Sequence, residues 1–164
     1  LLPDLSLDVT NATGKVSLSF KEGEVLDFAP LQMLSSYMGS RDLTQVRFDE
    51  LENTLELEDG YVFIPKMDIN SSLGAIRITG FQYFNTEMEY LVQIPFSVVT
   101  SVGWNTMTGK KRKEDAAPDE IVKMKDGGVR INVRIEGTPD DYQIKLGKGE
   151  KFRAIEKDKK KSGR

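Results

Sequence analysis

Apolar and polar residues alternate along most of this chain, and clusters of Asn, Asp, Gly, Ser and Pro interrupt the alternation. Leu5-Ser6-Leu7-Asp8-Val9-Thr10 has period two and ends at Asn11-Ala12-Thr13-Gly14. Lys15 to Phe20 alternates again, and Lys21-Glu22-Gly23-Glu24 reads as the turn that ends it. Between Asp27 and Gly39 the period changes. Phe28, Leu31, Leu34 and Met38 recur at helical spacing, with Asp27 at an N-cap and Gly39 at a C-cap. This predicts a short helix that plugs one end of a β core or binds a partner.

Strand pattern returns at Arg41–Phe48 and dominates from Leu51 to Ile94. There Leu55 and Leu57 alternate with acids up to the turn Glu58-Asp59-Gly60. Tyr61-Val62-Phe63-Ile64 follows, closed by Pro65; after Asn70-Ser71-Ser72 come Ala75–Gly80, a polar turn at Asn85-Thr86, and Met88–Ile94. Phe96–Gly103 carries both helical and strand signals, and its flanking Pro95 and terminal Gly103 tilt it to helix. Asn105–Asp119 reads as loop. Ile121–Lys125 and Val129–Gly137 form a hairpin about Asp126-Gly127-Gly128, with Val129, Ile131, Val133 and Ile135 facing one way and Arg130, Asn132, Arg134 and Glu136 the other. Thr138-Pro139-Asp140-Asp141 turns into a last strand, Tyr142–Leu146.

About nine or ten one-faced strands and so few helices predict a mostly β fold: a curved antiparallel meander, shaped as a half-pipe, roll or sandwich, with one or two short helices at its ends. Two helices of two to three turns cannot cover so wide a sheet, at about 1.5 Å of rise per residue. Either the sheet folds over on itself or part of its face is an open apolar trough.

Composition narrows the chemistry. The 164 residues contain no Cys and no His, which removes disulfides, thiol nucleophiles, imidazole bases and His- or Cys-ligated metals. No apolar run approaches the roughly 20 residues of a membrane span. The net charge of −3 is unevenly spread: residues 148–164 hold eight basic and three acidic residues, +5, leaving −8 on residues 1–147. The division expected is a β domain over 1–147 and a basic, disordered tail over 148–164. Lys110-Lys111-Arg112-Lys113 invites a nucleic-acid reading, but no aromatic residue interleaves with it, so a solvated or membrane-facing loop is expected and no nucleic-acid partner.

The carboxylate pairs Asp49-Glu50, Glu58-Asp59 and Asp140-Asp141 sit at turns, where acids cap and solvate. Ser71-Ser72 has no base nearby in sequence, and no calcium or phosphate loop is present. Asn11-Ala12-Thr13 and Asn70-Ser71-Ser72 fit a glycosylation sequon, a motif of low specificity. Catalytic residues, metal sites and cofactors are therefore none in this reading.

An ordered set of segments carries a resemblance. Val25-Leu26-Asp27-Phe28-Ala29-Pro30-Leu31, Val46-Arg47-Phe48-Asp49-Glu50-Leu51-Glu52-Asn53-Thr54, Ile64-Pro65-Lys66-Met67-Asp68-Ile69-Asn70-Ser71-Ser72-Leu73-Gly74, Met88-Glu89-Tyr90 with Ile94-Pro95, and Gly137-Thr138-Pro139-Asp140-Asp141-Tyr142 together resemble the C-terminal region of AsmA-like proteins of Gram-negative envelopes. The likeness spans roughly residues 5–147. It implies a piece of a larger periplasmic protein, with an inner-membrane anchor outside this segment. The wider AsmA and TamB-like group resembles bridge-like lipid-transfer proteins, whose curved sheet lines an apolar groove for phospholipid, and it is associated with outer-membrane assembly. It has no known catalytic residues to carry over. The expectation is a non-enzymatic domain that shelters acyl chains along an apolar groove or docks the protein at the outer membrane. Its candidate lipid-facing residues are Val62, Ile64, Ile76, Ile78, Tyr90, Val92, Ile131, Val133 and Ile135. The alternative is a scaffold for an envelope assembly protein, bound through sheet edges or acidic surface. An enzyme ranks third.

Overall fold

A computed structural model of the chain describes residues 12–26, 32, 34–35, 43–72, 74–99, 121–123 and 128–162, with backbone only at 121–123, 156 and 158–162. The helix expected over 27–39 lies outside the described residues except at 32, 34 and 35, and the strand over 5–10 and the loop over 105–119 lie wholly outside them.

Eight strands form one antiparallel sheet: β1 (Gly14–Leu26), β2 (Gln45–Glu58), β3 (Tyr61–Ser71), β4 (Gly74–Tyr83), β5 (Met88–Pro95), β6 (Ile121–Lys123), β7 (Val129–Gly137) and β8 (Tyr142–Leu146). The order β1-β2-β3-β4-β5-β7-β6 is a meander up to β5, and the described strands do not close into a barrel. β7 inserts beside β5 and displaces the short β6 outward. Its other edge is shared, with β6 pairing to residues 129–131 and β8 to residues 133–137. A 3-10 turn, Phe96–Val98, follows β5 where a helix was expected, and Val99 beyond it is extended.

Two predicted breaks are continuous strand. β1 runs through Lys21–Glu24, because Glu22 takes φ +52° and Gly23 lets the Phe48 ring lie over the backbone. A Cβ on Gly23 would sit 2.3 Å from that ring. β3 runs through Pro65, where one extra residue between Ile64 and Met67 makes a bulge against Gly80 and Ile78 of β4. Proline is tolerated there because a bulged residue owes the ladder no N–H. The Asn53 amide donates to the Pro65 carbonyl at 3.1 Å and the Thr79 hydroxyl to the Ile64 carbonyl at 2.9 Å.

The first face of the sheet carries the main core. Cross-strand partners build rows of apolar side chains, Met67–Ile78–Val92–Val133–Leu146 in one and Tyr90–Ile135–Ile144 in another. Gly80 heads the second row, since any Cβ there would meet the Tyr90 ring at 2.5 Å and the Glu89 carbonyl at 2.4 Å. Leu34, Leu43, Val98 and Val99 pack against these rows.

The second face is not the polar, solvated side that alternation suggested. Arg130 and Asn132 of β7 are buried, and the Gln93 amide donates to Asn132 Oδ1 at 2.8 Å. The chain after β8 crosses this face, where the Gly147 N–H donates to the Asn132 carbonyl and Gly149 leaves room for the Arg134 guanidinium. It then forms helix α1 (Glu150–Ser162) in place of the disordered tail expected over 148–164. The cause is one aromatic residue. Phe152, 3% exposed, joins Phe63, Phe81 and Leu91 in a second cluster, with Ile155 beside it. A helix this short is marginal alone, so the packing carries it.

Candidate functional site

The apolar face divides into a sealed half and an open half. On β4, β5 and β7 its residues are buried. On β1 and on residues 51–57 of β2 the same face stays accessible: Val16 and Phe20 are each 51% exposed, and Leu18, Leu51, Leu55 and Leu57 are half-buried, whereas Val46 and Phe48 of β2 and Ile69 of β3 are buried in the main core. Register explains the grouping, because Val16 stands opposite Leu55, Phe20 opposite Leu51, and Leu57 opposite Val62. Leu51 and Ile64 also touch the main core, so the open surface continues into the sealed one. Phe48, buried over Gly23, bounds it along β2. Beyond that point the apolar phase of β1 shifts from positions 16, 18 and 20 to Val25, which pairs with Val46.

Over residues 15–21 of β1 and 50–56 of β2 the reverse side of the strand pair is polar. Lys15 reaches Glu56 at 3.7 Å and Lys21 reaches Glu50 at 3.9 Å. Between them Ser17 hydrogen-bonds Thr54 and Ser19 donates to Glu52, both at 3.1 Å. Exposed pairs of this kind add little stability, but they hold that side in water. The hairpin is thus amphipathic, with its apolar side uncovered. From Gly14–Leu57 to Phe20–Leu51 the surface is seven residues long, about 20 Å at roughly 3.3 Å per residue.

Of the nine residues expected to face lipid, Ile76, Ile78, Tyr90, Val92, Ile131, Val133 and Ile135 are buried in the chain's own core. They face protein in this structure. Val62 and Ile64 are half-buried at the rim of the open surface. Val16, Leu18, Phe20, Leu51, Leu55 and Leu57 were not among the nine, though their alternation was as regular. Alternation says which side of a strand is apolar and nothing about what lies against it.

The polar candidates scatter. Glu50 pairs with Lys21, Glu58 accepts the Tyr61 hydroxyl at 2.5 Å, and Asp141 closes the β7–β8 turn by exchanging backbone hydrogen bonds with Thr138. The Glu58 hydrogen bond, with burial and the Glu58 charge behind it, pushes the Tyr61 phenol up to about 12. The Arg77 guanidinium, bidentate on Asp68 at 2.6 and 2.7 Å, holds that carboxyl below its ordinary range, and burial raises the Tyr90 phenol. The basic run Lys110–Lys113 lies outside the described residues. Among the described residues no group of three or more acids is placed to hold a metal ion, and no helix is long and apolar enough to cross a membrane. Comparison with known proteins found no matching family model, no matching curated protein and no matching solved structure.

Proposed function

We propose that this chain is a non-enzymatic segment of an AsmA-like periplasmic protein, anchored in the inner membrane through a segment outside it, and that it serves outer-membrane assembly and phospholipid transport. Its acyl-chain site is the open apolar surface of β1 to β3, centred on Val16, Phe20, Leu51 and Leu55. The observation that carries this reading is the uncovered apolar side of a hairpin whose other side is laced with polar pairs. Burial alone is the mechanism. Each methylene sheltered contributes about 0.8 kcal/mol and needs no directional contact, so chains of different length are accepted. The sealed half over β4 to β8 would then act as the stop against which the chain ends.

The test is a photo-reactive side chain placed at Phe20 or at Ser19, neighbours on opposite sides of β1. Phospholipid adducts at position 20 and not at position 19, in intact envelopes, are expected. Equal labelling, or labelling by water alone at both, overturns the reading. A protein-docking reading rests on a different observation, that β1 is the end strand of the described sheet and offers an edge for strand addition. One dominant protein adduct at both positions would favour it.

A further inference from the structure

Helix α1 holds the sheet through its first turns. Phe152 is buried against Phe81 and Ile155 is half-buried beside it. Lys151 stands 4.0 Å above the Phe81 ring, 3.4 Å from Glu89, and donates to the Tyr83 hydroxyl. From Glu156 to Ser162 the helix continues without a single apolar residue, EKDKKKS. That stretch offers the sheet no apolar side chain to bury, yet the helix continues through it.

The cations there are not evenly spread. With about 3.6 residues per turn, positions 153, 157, 160 and 161 fall within an arc of about 100°, roughly opposite the arc of Phe152 and Ile155. Those positions are Arg153, Lys157, Lys160 and Lys161, and the first and second of them are exposed, as that placement requires. Glu156 and Asp158 fall on the two flanks of the arc, Glu150 shares its angle one turn before Arg153, and position 159, a lysine, falls on the arc of Phe152 and Ile155. The stripe is about 12 Å long, at about 1.5 Å per residue. Because Phe152 anchors the helix, its backbone sets these four positions on one arc.

We infer that this stripe docks the domain on the anionic headgroups of a phospholipid surface. Three of its four residues are lysines, compact point charges suited to a plane of headgroups more than to bidentate recognition of bases. No aromatic residue shares the arc to stack on a nucleobase. Residues 1–147 carry −8 in sum, so apart from the run Lys110–Lys113 the body repels a polyanion. With its aromatic residue committed to the sheet, α1 contributes no apolar wedge, and the contact is electrostatic and reversed by salt. The inference uses α1 alone and stands apart from the acyl-chain surface.

The experiment is cosedimentation of the full chain with vesicles of phosphatidylcholine mixed with phosphatidylglycerol, against pure phosphatidylcholine, over a salt series. Binding to the mixed vesicles only, released by salt, is expected. The triple change K157Q, K160Q and K161Q should weaken partition about a hundredfold, at roughly fivefold per cation. A control that removes the same charge elsewhere, K15Q, K21Q and K145Q, should retain binding, as should Phe20→Asp, which addresses the acyl-chain surface. Far-UV circular dichroism checks that each variant folds, and the salt and lipid dependence of the unaltered chain stands without them. Equal binding to pure phosphatidylcholine, no loss in the triple variant, or tighter binding to a duplex oligonucleotide at equal phosphate overturns the inference.

Discussion

Replacing Phe152 with alanine separates the stability of helix α1 from that of the sheet it lies on. Phe152 is 3% exposed, and its ring centroid is 6.2 Å from that of Phe81, which in turn lies 4.9 Å from Phe63. Burying a side chain of this size contributes about 1.5–3 kcal/mol, and the aromatic contact adds about 0.5–1.5 kcal/mol, so the substitution removes about 2–4.5 kcal/mol if the helix stays in place. It has little to stay in place with. Ile155 is the other apolar residue on the sheet-facing arc, the Lys151 contacts are half in solvent, and a helix of 13 residues is marginal by itself. The expected outcome is local: α1 undocks and melts, and the sheet keeps its cooperative transition. Amide hydrogen exchange reads this directly. Protection over residues 150–162 should fall to the level of an open chain in Phe152→Ala, while protection in β4, β5 and β7 is retained. Unchanged protection over α1 would refute the reasoning, since the helix would then be held by something other than Phe152. Loss of protection across the whole sheet would refute it from the other side, by showing that α1 belongs to the same cooperative unit.

Three further outcomes are expected. Asn132→Leu removes the acceptor of the buried Gln93 amide and should cost about 1–3 kcal/mol in urea unfolding, whereas Gln93→Leu with Asn132→Leu should recover much of it; a double variant no better than the single one would contradict this. Gly137→Ala places a side chain at φ +127° and 2.3 Å from the Asp141 carbonyl, so it should cost about 2 kcal/mol and free the β7–β8 turn, visible as altered amide shifts confined to residues 136–142. Tyr61 gives a test at alkaline pH. Its folded phenol titrates at about 12 against 10.0 unfolded, so the stability it brings is complete below pH 10.0 and is lost as pH rises to about 12. Glu58→Gln should bring its ultraviolet titration back toward 10.0, and an unmoved titration would rule out the Glu58 hydrogen bond as the main cause.

The strands of this protein are written locally. Period-two alternation marks β3 to β5 and β7, Asp59-Gly60 makes the β2–β3 turn with Gly60 at φ +87°, and β8 occupies the residues its pattern indicates. These features depend only on neighbours along the chain, because a pleated backbone sends successive side chains to opposite faces. Tertiary structure decided the rest. The run Lys21–Glu24 has turn composition, but twelve pairs between β1 and β2 and the Phe48 ring over Gly23 outweigh it. Pro65 reads as a stop, yet a bulge absorbs its missing N–H. Phe152 stands alone in a charged stretch with no period to betray it, and its partners Phe63, Phe81 and Leu91 lie far back in the sequence.

The candidate site divides along the same line. That β1 and β2 carry an apolar side follows from Val16, Leu18, Phe20, Leu51, Leu55 and Leu57 in alternation. That this side is open, while Val92, Ile131, Val133 and Ile135 with the same alternation are sealed, follows from what is laid across them. Leu34, Leu43, Val98 and Val99 reach the sealed half, and the exposure of Val16 and Phe20 marks the other. Alternation is set by the geometry of one strand, whereas coverage is set by contacts between residues distant in the chain. The sequence therefore determined that an apolar face exists, and the tertiary structure alone decided which part of it meets solvent.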